Sequence, residues 1–456
     1  MSWMGVDIGT SGCKAVVFDD AGRRLEQEYR GYELHRPEAG AAELDPLELR
    51  AAWRAVIATA AAAVADTDPV AGIGISSQGE AVLALDAADE PVAPVLTSLD
   101  ARPAVALARI VAAQGAERIY TSTGHTPHPM FSLGKVLWMQ EERPADWRRC
   151  RRLHCLEDAL QRDLGVAEPA MSWSLAGRTL LFAVQAHAWD EELCAAAGVP
   201  SSSLPRTAAS GSVAGHTGGA CGERFGLPAG IPVVCGGHDQ GMAALGAGVA
   251  RPGEAMFATG TVACICPAVE RLRFSPALQQ ANLCSYDFTI PGLATTVAFN
   301  LTGGNLLQWF RDTLAPELVF EALLASMPTA PTDLLSLPYF APSGTPYFDP
   351  QPKGAVLGLA LTDTRGSLLK GLLEGSVMEM RLNLQILAEN GIPVDSLRAT
   401  GGAARSRLYT QLAADVLGRP IAALDVEEAG CLGGAMLAAA GARAEPTPLV
   451  EEEDAF

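Results

Sequence analysis

Two aspartates, each at the edge of an apolar run and followed by small residues, are the side chains in this sequence best placed for chemistry. Asp7 interrupts the run "GVDIGTSGCKAVVFD", and Asp239 follows the β-branched run "IPVVCGGH". A buried carboxylate is costly unless a cation, hydrogen-bond donors or a catalytic task compensates it. For Asp7, the residues alone favour a structural ion pair with Lys14. For Asp239, they leave two interpretations open, a helix N-cap and a general base that takes a proton from a hydroxyl group.

Two turns that combine glycine with hydroxyl side chains could hold a phosphate group. The first is "GTSG" at residues 9–12, and the second is "ATGTV" at residues 258–262. Glycine lets the backbone approach a ligand closely, and N–H and hydroxyl groups donate hydrogen bonds. Each turn lies between two strand-like runs, so the two halves of the chain are predicted to share one plan. A P-loop is excluded because GxxxxGK[ST] does not occur, and Gly5 and Gly9 exclude the paired aspartates of a haloacid-dehalogenase-type phosphoenzyme.

The elements around these residues alternate between strand-like and helical patterns. Short apolar runs such as "VAGIGISS", "IPVVCGG" and "SLRATGG" predict strands, and residues 104–120 and 364–390 have the apolar spacing of helices. This alternation predicts an α/β fold. Because ligands bind at the carboxyl ends of strands in open α/β sheets, Asp239 and Gln240 are predicted to face a ligand crevice.

The length predicts two large domains. The chain has 456 residues, about three times the length of a typical domain. Residues 205–230 are rich in Gly, Ser, Ala and Pro, which favours a boundary shortly after them. We therefore predict one domain over residues 1–245 and a second over residues 246–456.

Composition and charge exclude several classes of function. With 52 acidic against 33 basic side chains, the formal net charge is −19, which repels nucleic acids and anionic lipid surfaces. The longest apolar segment, "AAWRAVIATAAAAVAD", is too short to cross a bilayer and carries Arg54. The opening residues lack the pattern of a secretory signal, and the ten cysteines show no zinc-binding spacing, so we expect a cytoplasmic protein with reduced thiols. Neither a nucleic acid nor a membrane is expected as a partner.

Several motifs occur in an order that is typical of one enzyme family. "DIGTSGCKAVVFDDAGR" resembles a first phosphate motif, "ATGTV" a second, and "ATGGAARSRLYTQLAADVLGRPI" an adenosine motif. "MFSLGKVLWMQEE" at residues 130–142 fits a family signature throughout, whereas the stretch from Gly354 fits a second signature with departures at Ser367 and Gly371. Over nearly its whole length the chain thus resembles the FGGY carbohydrate kinases of the actin, Hsp70 and hexokinase superfamily. The resemblance implies two ribonuclease H-like α/β domains that flank a cleft.

The resemblance also implies an ATP-dependent phosphorylation of a sugar or polyol hydroxyl and a role for each matching residue. Asp239 would be the general base, and Asp7 would anchor a hydrated Mg²⁺ ion. The residues implied to bind the nucleotide are Gly9, Thr10, Ser11, Lys14, Gly260, Thr261, Gly304, Gln308, Gly401, Gly402 and Ser406. The residues implied to bind the substrate are Gln78, Glu80, Asp100, Arg102, Asp239 and Gln240.

Departures from two branches of the family narrow the substrate class. Glycerol kinases resemble the chain at Gln78 and Glu80. They differ in having an arginine at the position of Gly79 and a bulky aromatic residue at that of Ser98, so both positions are expected to enlarge the pocket. The residues that xylulokinases place after Gln78 and around Asp100 are absent as well. We therefore predict a sugar or polyol larger than glycerol. The resemblance to the family implies about four to six carbons, with a xylulose-like ketopentose as first choice.

Two other kinds of protein would share part of this pattern. An actin- or Hsp70-like ATPase that acts on a protein partner would keep Asp7 and both phosphate turns, and a sugar-binding regulator would keep the sugar pocket without catalysis. The polar residues at 78–102 together with Asp239 and Gln240 favour the kinase, because a hydroxyl-binding pocket needs them. The expected partners are a small sugar or polyol and ATP or ADP, and a homodimer is one option for the assembly.

Overall fold

The computed structural model describes residues 1–424 and 428–444, which form two α/β halves. The strands of the first half are β1 Ser2–Ile8, β2 Gly12–Asp19, β3 Arg24–Gly31, β4 Glu43–Leu44, β5 Val70–Ser77, β6 Leu83–Leu85, β7 Val95–Leu96, β8 Arg152–His154, β9 Ala170–Ser172, β10 Phe182–Ala183, β11 Ala188–Trp189, β12 Arg206–Ala208, β13 Val213–His216 and β14 Pro232–His238. Its helices are α1 Pro46–Val64, α2 Ala104–Gln114, α3 Ala116–Thr123, α4 Ser132–Glu142, α5 Pro144–Arg149, α6 Leu156–Asp163, α7 Trp173–Ala176, α8 Glu191–Ala196, α9 Cys221–Phe225 and α10 Asp239–Gly246.

The second half is built from fewer strands and longer helices. Its strands are β15 Glu254–Thr259, β16 Ala263–Val269, β17 Tyr286–Asp287, β18 Ala294–Thr295, β19 Ala298–Asn300, β20 Leu335–Leu337, β21 Ala355–Leu357, β22 Ser396–Thr400 and β23 Ile421–Ala423. Its helices are α11 Pro276–Gln280, α12 Gly304–Leu314, α13 Phe320–Ala325, α14 Arg365–Glu389, α15 Arg407–Leu417 and α16 Ala429–Ala444. Short 3₁₀ turns occur at Gly177–Thr179, Ser201–Ser203 and Gly402–Arg405.

The main sheet of each half has the same central arrangement. Within the described residues, the first sheet has the order β13-β14-β5-β1-β2-β3 and the second has the order β17-β18-β16-β15-β22-β23, with β19 beside β16. In the first, β1 is antiparallel to β2 and parallel to β5; in the second, β15 is antiparallel to β16 and parallel to β22. The two glycine-containing turns connect the antiparallel pairs in the two halves. The predicted α/β fold is confirmed, and the two halves repeat one plan.

The last described helix crosses from the second half to the first. α16 packs very closely on β1 and β5. A Cβ at Gly5 would overlap the carbonyl of Cys431, and one at Gly74 would overlap that of Gly434. Only glycine allows the helix backbone to lie directly on these strands. The predicted division assigns residues 429–444 to the second domain, whereas their packing surface belongs to the first sheet. The boundary at residue 245 itself stays a prediction.

The predicted helices differ from the observed ones in one respect. The helix predicted over 364–390 is α14, whose first turn is capped by Thr364. The helix predicted over 104–120 is divided into α2 and α3 at Gly115, which has a φ of +83°. Among residues 1–424 and 428–444, none of the helices combines the length and the apolar character that a membrane crossing needs.

Candidate active site

The carboxyl ends of three parallel strands bring the two predicted aspartates to one edge of the first sheet. Ile8 of β1 pairs with Ser77 of β5, which pairs in turn with His238 of β14. Asp7 lies one position before this row and Asp239 one position after it. This is the edge at which open α/β sheets bind their ligands.

Asp239 is a partly buried carboxylate at the first residue of α10. The N-cap of this helix is His238, so the interpretation of Asp239 as an N-cap is wrong. The Asp239 side chain remains 30% exposed. Burial and the negative charges of Asp7 and Glu80 raise its pKa to about 7. A carboxylate with a pKa close to neutrality is suited to general-base catalysis.

Asp7 is bound by a hydroxyl group and not by the lysine predicted for it. Ser76 Oγ donates a hydrogen bond to Asp7 Oδ1 at 2.6 Å. Lys14 faces Asp7 across the β1–β2 register, but its Nζ donates to Glu428 Oε2 at 2.6 Å. The interpretation of Asp7 and Lys14 as an ion pair is therefore wrong. Burial raises the pKa of Asp7, and the Ser76 hydrogen bond and the Lys14 charge offset only part of that shift.

A cavity of about 750 Å³ lies between the two halves, with Asp239 in its wall. The predicted substrate residues that line it are Gln78, Glu80, Asp100, Asp239 and Gln240. The first phosphate turn reaches this cavity, since Thr10 Oγ1 donates to Gln78 Oε1 at 3.3 Å and Gln78 Nε2 donates to Gly9 O at 3.0 Å. Much of the remaining wall is apolar and includes Leu99, Phe131, Phe299 and Phe348.

Glu80 is held in a fixed position at the wall of this first cavity. Its backbone has a φ of +65°, which a non-glycine residue rarely adopts. Lys135 Nζ and Ser132 Oγ donate to its carbonyl oxygen at 2.7 and 3.0 Å, and these bonds support the unusual backbone. Arg178 Nε donates to Glu80 Oε1 at 2.6 Å, and Arg178 Nη1 lies 3.1 Å from His125 Nε2. Glu80 Oε1 thus accepts the hydrogen bonds from the guanidinium, and Glu80 Oε2 accepts none from the described residues.

A second cavity, of about 810 Å³, lies in the second half. Six of the residues implied to bind the nucleotide line it, namely Gly260, Thr261, Gly304, Gln308, Gly402 and Ser406. Apolar side chains of Leu307, Phe320 and Leu324 also line it. The two cavities adjoin at the second phosphate turn, because Gly260 and Thr261 line the second cavity and Val262 lines the first.

The remaining predicted nucleotide residues lie outside the wall of the second cavity. Gly9 closes the first turn by donating its N–H to Gly12 O at 3.0 Å. Ser11 and Lys14 follow in the same hairpin, and neither they nor Gly9 line either cavity. Gly401 has a φ of +93°, and a Cβ there would lie 2.9 Å from the Thr259 carbonyl carbon. Gly401 therefore lets β22 end close against the second phosphate turn.

Comparison with protein families decides the class of the protein. The N-terminal domain of the FGGY family of carbohydrate kinases matches residues 2–246, and the C-terminal domain of that family matches residues 258–442. The chain belongs to the FGGY family of carbohydrate kinases. As a carbohydrate kinase it is not an ATPase of the actin or Hsp70 kind, nor a sugar-binding regulator without catalysis.

Named relatives of this FGGY kinase act on different substrates. The chain is 27% identical to a xylulose kinase from Lactococcus lactis over 96% of its own length and 87% of the relative's. It is 26% identical to a gluconokinase from Bacillus subtilis, over 95% of this chain and 86% of the relative. It is 30% identical to a glycerol kinase from Methylibium petroleiphilum, over 96% of this chain and 90% of the relative. The crystal structure of a xylulose kinase from Rhodospirillum rubrum superposes with a TM-score of 0.89 at 27% identity, covering 97% of this chain and 90% of that one. The two-domain fold predicted from the resemblance is confirmed.

Arg102 of this FGGY kinase does not line the first cavity, although it was predicted to bind the substrate. Its guanidinium forms ion pairs with Asp100 at 2.5 Å, Glu38 at 2.9 Å and Glu43 at 2.6 Å. It also stacks on the Trp138 ring at 4.2 Å. Because these contacts occupy its donors, the geometry favours a role for Arg102 in orienting Asp100 toward the cavity over a direct contact with the substrate.

Gly79 does not enlarge the pocket in the way that its small size predicts. A Cβ at this position would lie 2.8 Å from His238 Cδ2 and 3.4 Å from Arg178 Cγ. The space in which a side chain at position 79 would stand is therefore already filled by an imidazole and an arginine from elsewhere in the chain. Ser98 does line the cavity, and its expected effect on the size of the pocket stays a prediction.

Four side chains of the first cavity and its wall escaped the sequence interpretation. They are His125, Arg178, His238 and Tyr286. The Arg178 guanidinium is clamped between the rings of Phe131 and Tyr286, with centroids 5.0 and 5.5 Å away. No motif carries His125, Arg178 and Tyr286, because they come from separate segments of the chain and meet only in the folded protein. The one sequence signal was the position of His238 immediately before the predicted base.

Proposed function

We propose that this FGGY kinase transfers the γ-phosphoryl group of ATP to a hydroxyl group of an uncharged sugar or polyol, with Asp239 as the general base. The observation that carries the proposal is the position of Asp239. Its carboxylate lies in the wall of the first cavity, which adjoins the second cavity at the phosphate turn 260–262. A hydroxyl group in the first cavity would therefore lie between the base and the nucleotide.

The proposed chemistry requires positioning and a proton acceptor more than covalent catalysis. The acceptor hydroxyl loses its proton to Asp239 while its oxygen attacks the γ-phosphorus, and ADP leaves. Gln78, Gln240 and the free Oε2 of Glu80 would hold the other hydroxyl groups of the acceptor. Apolar walls from both halves would exclude water, which keeps the phosphoryl group from being hydrolysed.

The residues present fit a Mg²⁺ ion that is bound mainly through water and phosphate. In the described part of the chain, no group of three or more His, Cys, Asp or Glu side chains converges on a metal site. Mg²⁺ needs no such group, because it usually binds through one or two carboxylates together with substrate phosphates. Asp7 supplies one carboxylate at the carboxyl edge of the sheet, and its Oδ1 is oriented by Ser76. The ion would neutralise charge on the phosphates during transfer.

The charges around the first cavity favour an uncharged acceptor over an aldonate such as gluconate. The described lining residues include four carboxylates, Glu80, Asp100, Asp239 and Asp349, and one guanidinium, that of Arg178. Arg178 is already paired with Glu80. Arg102, which pairs with Asp100 from outside the lining, is shared with Glu38 and Glu43. The nearby imidazoles bring no compensating charge, because burial lowers the pKa of His125, His128 and His238. A ketopentose such as xylulose is our first choice among uncharged acceptors.

A panel of acceptors tests the proposal. D-xylulose, D-ribulose, erythritol, glycerol and D-gluconate are each incubated with the enzyme, ATP and Mg²⁺, and acceptor-dependent release of ADP is measured. We expect an uncharged acceptor larger than glycerol to give the highest kcat/KM, because glycerol would leave polar groups of the cavity unpaired at a cost of about 1–3 kcal/mol each. The absence of turnover with every neutral sugar or polyol would contradict the proposal.

A further inference from the structure

The imidazole of His238 lies between the proposed base and a tyrosine from the second half of the chain. Its Nδ1 is 2.9 Å from the Tyr286 hydroxyl, and its Nε2 is 3.3 Å from Asp239 Oδ1. His238 is 5% exposed and Tyr286 is 1% exposed. The three side chains form a row that begins in β17 and ends at the wall of the first cavity.

The ring of His238 is held by its neighbours. The backbone of Gly79 approaches so closely that a Cβ there would lie 2.8 Å from His238 Cδ2. The Tyr286 ring meets the imidazole edge-on, with the centroids 5.9 Å apart. The backbone N–H of His238 donates to Ser174 Oγ at 3.1 Å, which anchors the end of β14. These contacts determine which ring nitrogen faces which partner.

Hydrogen-bond requirements set the tautomer of this ring. A buried phenol hydroxyl without an acceptor is costly. In the described part of the chain, the acceptor within reach of the Tyr286 hydroxyl is His238 Nδ1. Tyr286 therefore donates to Nδ1, and the ring proton resides on Nε2. The Nε2–H group then lies beside Asp239 Oδ1, where it stabilises a carboxylate better than a carboxylic acid.

The surrounding charges explain why a neutral donor is useful at this place. Burial and the nearby Arg178 and His125 lower the pKa of the imidazole well below its ordinary value, so the ring is uncharged. Asp7 and Glu80 face Asp239 from the first sheet and the loop after β5, and their charges raise its pKa. An N–H group beside Asp239 opposes this increase and keeps more of the base ionised near neutral pH.

We propose that Tyr286 and His238 are positioning residues for the general base: Tyr286 fixes the imidazole tautomer, and the Nε2–H of His238 orients the Asp239 carboxylate and favours its ionised form. This inference rests on the proposed role of Asp239. The 3.3 Å contact is a charge–dipole contact and not a fully formed hydrogen bond, and contacts of this kind in catalytic sites often tighten when substrate binds.

The pH dependence of turnover tests the tuning of Asp239. The quantity measured is kcat/KM for the best acceptor of the panel, at saturating ATP and Mg²⁺. Tyr286→Phe keeps the aromatic ring and removes the hydroxyl group. We expect the acidic limb of its pH profile to lie about one pH unit higher than that of the wild type. On this limb kcat/KM should be about tenfold lower than in the wild type, and it should recover at alkaline pH. His238→Leu is expected to move the limb in the same direction, and His238→Gln, which keeps an N–H donor, to move it less.

Tyr120→Phe is the matched control. Tyr120 is also buried, and its hydroxyl donates to Leu283 O at 3.4 Å without touching His238. We expect its acidic limb to coincide with that of the wild type. A merely structural role for Tyr286 would lower kcat/KM by the same factor at every pH, and an unmoved limb in both Tyr286→Phe and His238→Leu would overturn the proposal.

A second measurement does not depend on activity. In enzyme labelled with ¹⁵N-histidine, the signal of His238 among the seven histidines is identified by its loss in His238→Gln. We expect the Nε2–H tautomer in the wild type and a loss of that preference in Tyr286→Phe. An Nδ1–H tautomer in the wild type would overturn the proposal. If the wild type phosphorylates no acceptor, the proposed function and the base role fail together, while the tautomer still decides the Tyr286–His238 pairing.

Discussion

Asp239 and Asp7 differ in what surrounds them, although both lie at the carboxyl edge of one sheet. Asp239 is flanked by His238 and faces the first cavity, and burial together with the charges of Asp7 and Glu80 raises its pKa. Asp7 accepts a hydrogen bond from Ser76, which supports the ionised form. The two carboxylates thus differ in their hydrogen-bond partners and in their proposed tasks, although burial raises the pKa of both, so the two need separate tests.

Replacing Asp239 tests the proton acceptor. Asp239→Asn keeps the size and polarity of the side chain but removes the base, so we expect kcat for the acceptor to fall about 10²–10⁴-fold. Binding of ATP, measured by calorimetry, should stay within about twofold of the wild type. Asp66→Asn, at an exposed position after α1, is the control and should have wild-type turnover. A near-normal kcat in Asp239→Asn would remove this residue from the mechanism.

The pKa of Asp239 predicts the pH dependence of the wild type. Because its pKa is raised to about 7, the base is protonated and inactive at lower pH. We expect kcat/KM for the acceptor to decrease about tenfold for each pH unit below 7 and to level off above it. The measurement is a pH series at saturating ATP and Mg²⁺. A plateau that extends unchanged down to pH 5 would show that another group accepts the proton.

Replacing Asp7 tests the proposed metal anchor. Asp7→Ala removes the carboxylate, so we expect the Mg²⁺ concentration that gives half-maximal turnover to rise at least about tenfold. Affinity for the acceptor, measured without nucleotide, should change little because Asp7 does not line the first cavity. Ser76→Ala, which removes the hydrogen bond to Asp7 Oδ1, should shift the Mg²⁺ requirement in the same direction by a smaller factor. An unchanged Mg²⁺ requirement in Asp7→Ala would make this residue structural.

Helix α6 and strand β14 are joined behind the active site by the buried carboxyl group of Glu157, whose pKa burial raises to about 8. Glu157 accepts hydrogen bonds from the N–H groups of Gly236 at 2.6 Å and Ser172 at 3.0 Å, one on each oxygen. Gly236 precedes Asp239 by three positions, so this contact fixes the strand that carries the base. The element that positions Asp239 therefore depends on a polar contact within the core.

Glu157→Gln is expected to weaken this connection. An amide offers one acceptor oxygen where two N–H groups require acceptors, so one buried N–H loses its partner at a cost of about 1–3 kcal/mol. Urea denaturation should show a lower free energy of unfolding by that amount. Glu117→Gln, on an exposed turn of α3, is the control and should have wild-type stability. If the two variants unfold at the same urea concentration, Glu157 does not hold β14.

The local elements of this fold were readable from the sequence because they depend on neighbouring residues. The strand that ends before Asp239 and the two glycine turns are continuous stretches with strong local patterns. The same holds for the second cavity, since Gly260, Gly304 and Gly402 each lie in a motif of their own. The division of the predicted helix 104–120 at Gly115 was missed because apolar spacing continues through the glycine.

The first cavity was less predictable because its side chains come from distant segments. Arg178 and Tyr286 reach its wall through tertiary packing. No spacing rule relates Arg178 and His238 to Gly79, whose missing side chain they help to replace. Arg102 illustrates the opposite case. The family resemblance implies a substrate contact for it, yet the fold surrounds its guanidinium with acidic side chains that pair with it.

At the scale of the whole molecule, charge is distributed in a way that bears on the substrate. The chain has a formal net charge of −19, and the described lining of the first cavity is itself rich in carboxylates. An anionic acceptor would be repelled both on approach and in the cavity, whereas ATP would enter the second cavity with its charge reduced by Mg²⁺. The net negative charge of the chain and the carboxylates that line the first cavity therefore both favour an uncharged acceptor.

Competition between xylulose and gluconate tests this whole-molecule argument. We expect kcat/KM for D-xylulose to exceed that for D-gluconate at least tenfold at low ionic strength, which corresponds to about 1.4 kcal/mol of repulsion in the transition state. Raising the salt concentration from 0.05 to about 0.5 M screens exposed charges, so the activity with gluconate should rise relative to xylulose. The ratio for D-xylulose over glycerol, both uncharged, is the control and should not change with salt. If gluconate is the better acceptor at low salt, the carboxylates of the first cavity do not select the substrate by charge, and the choice of an uncharged sugar is wrong.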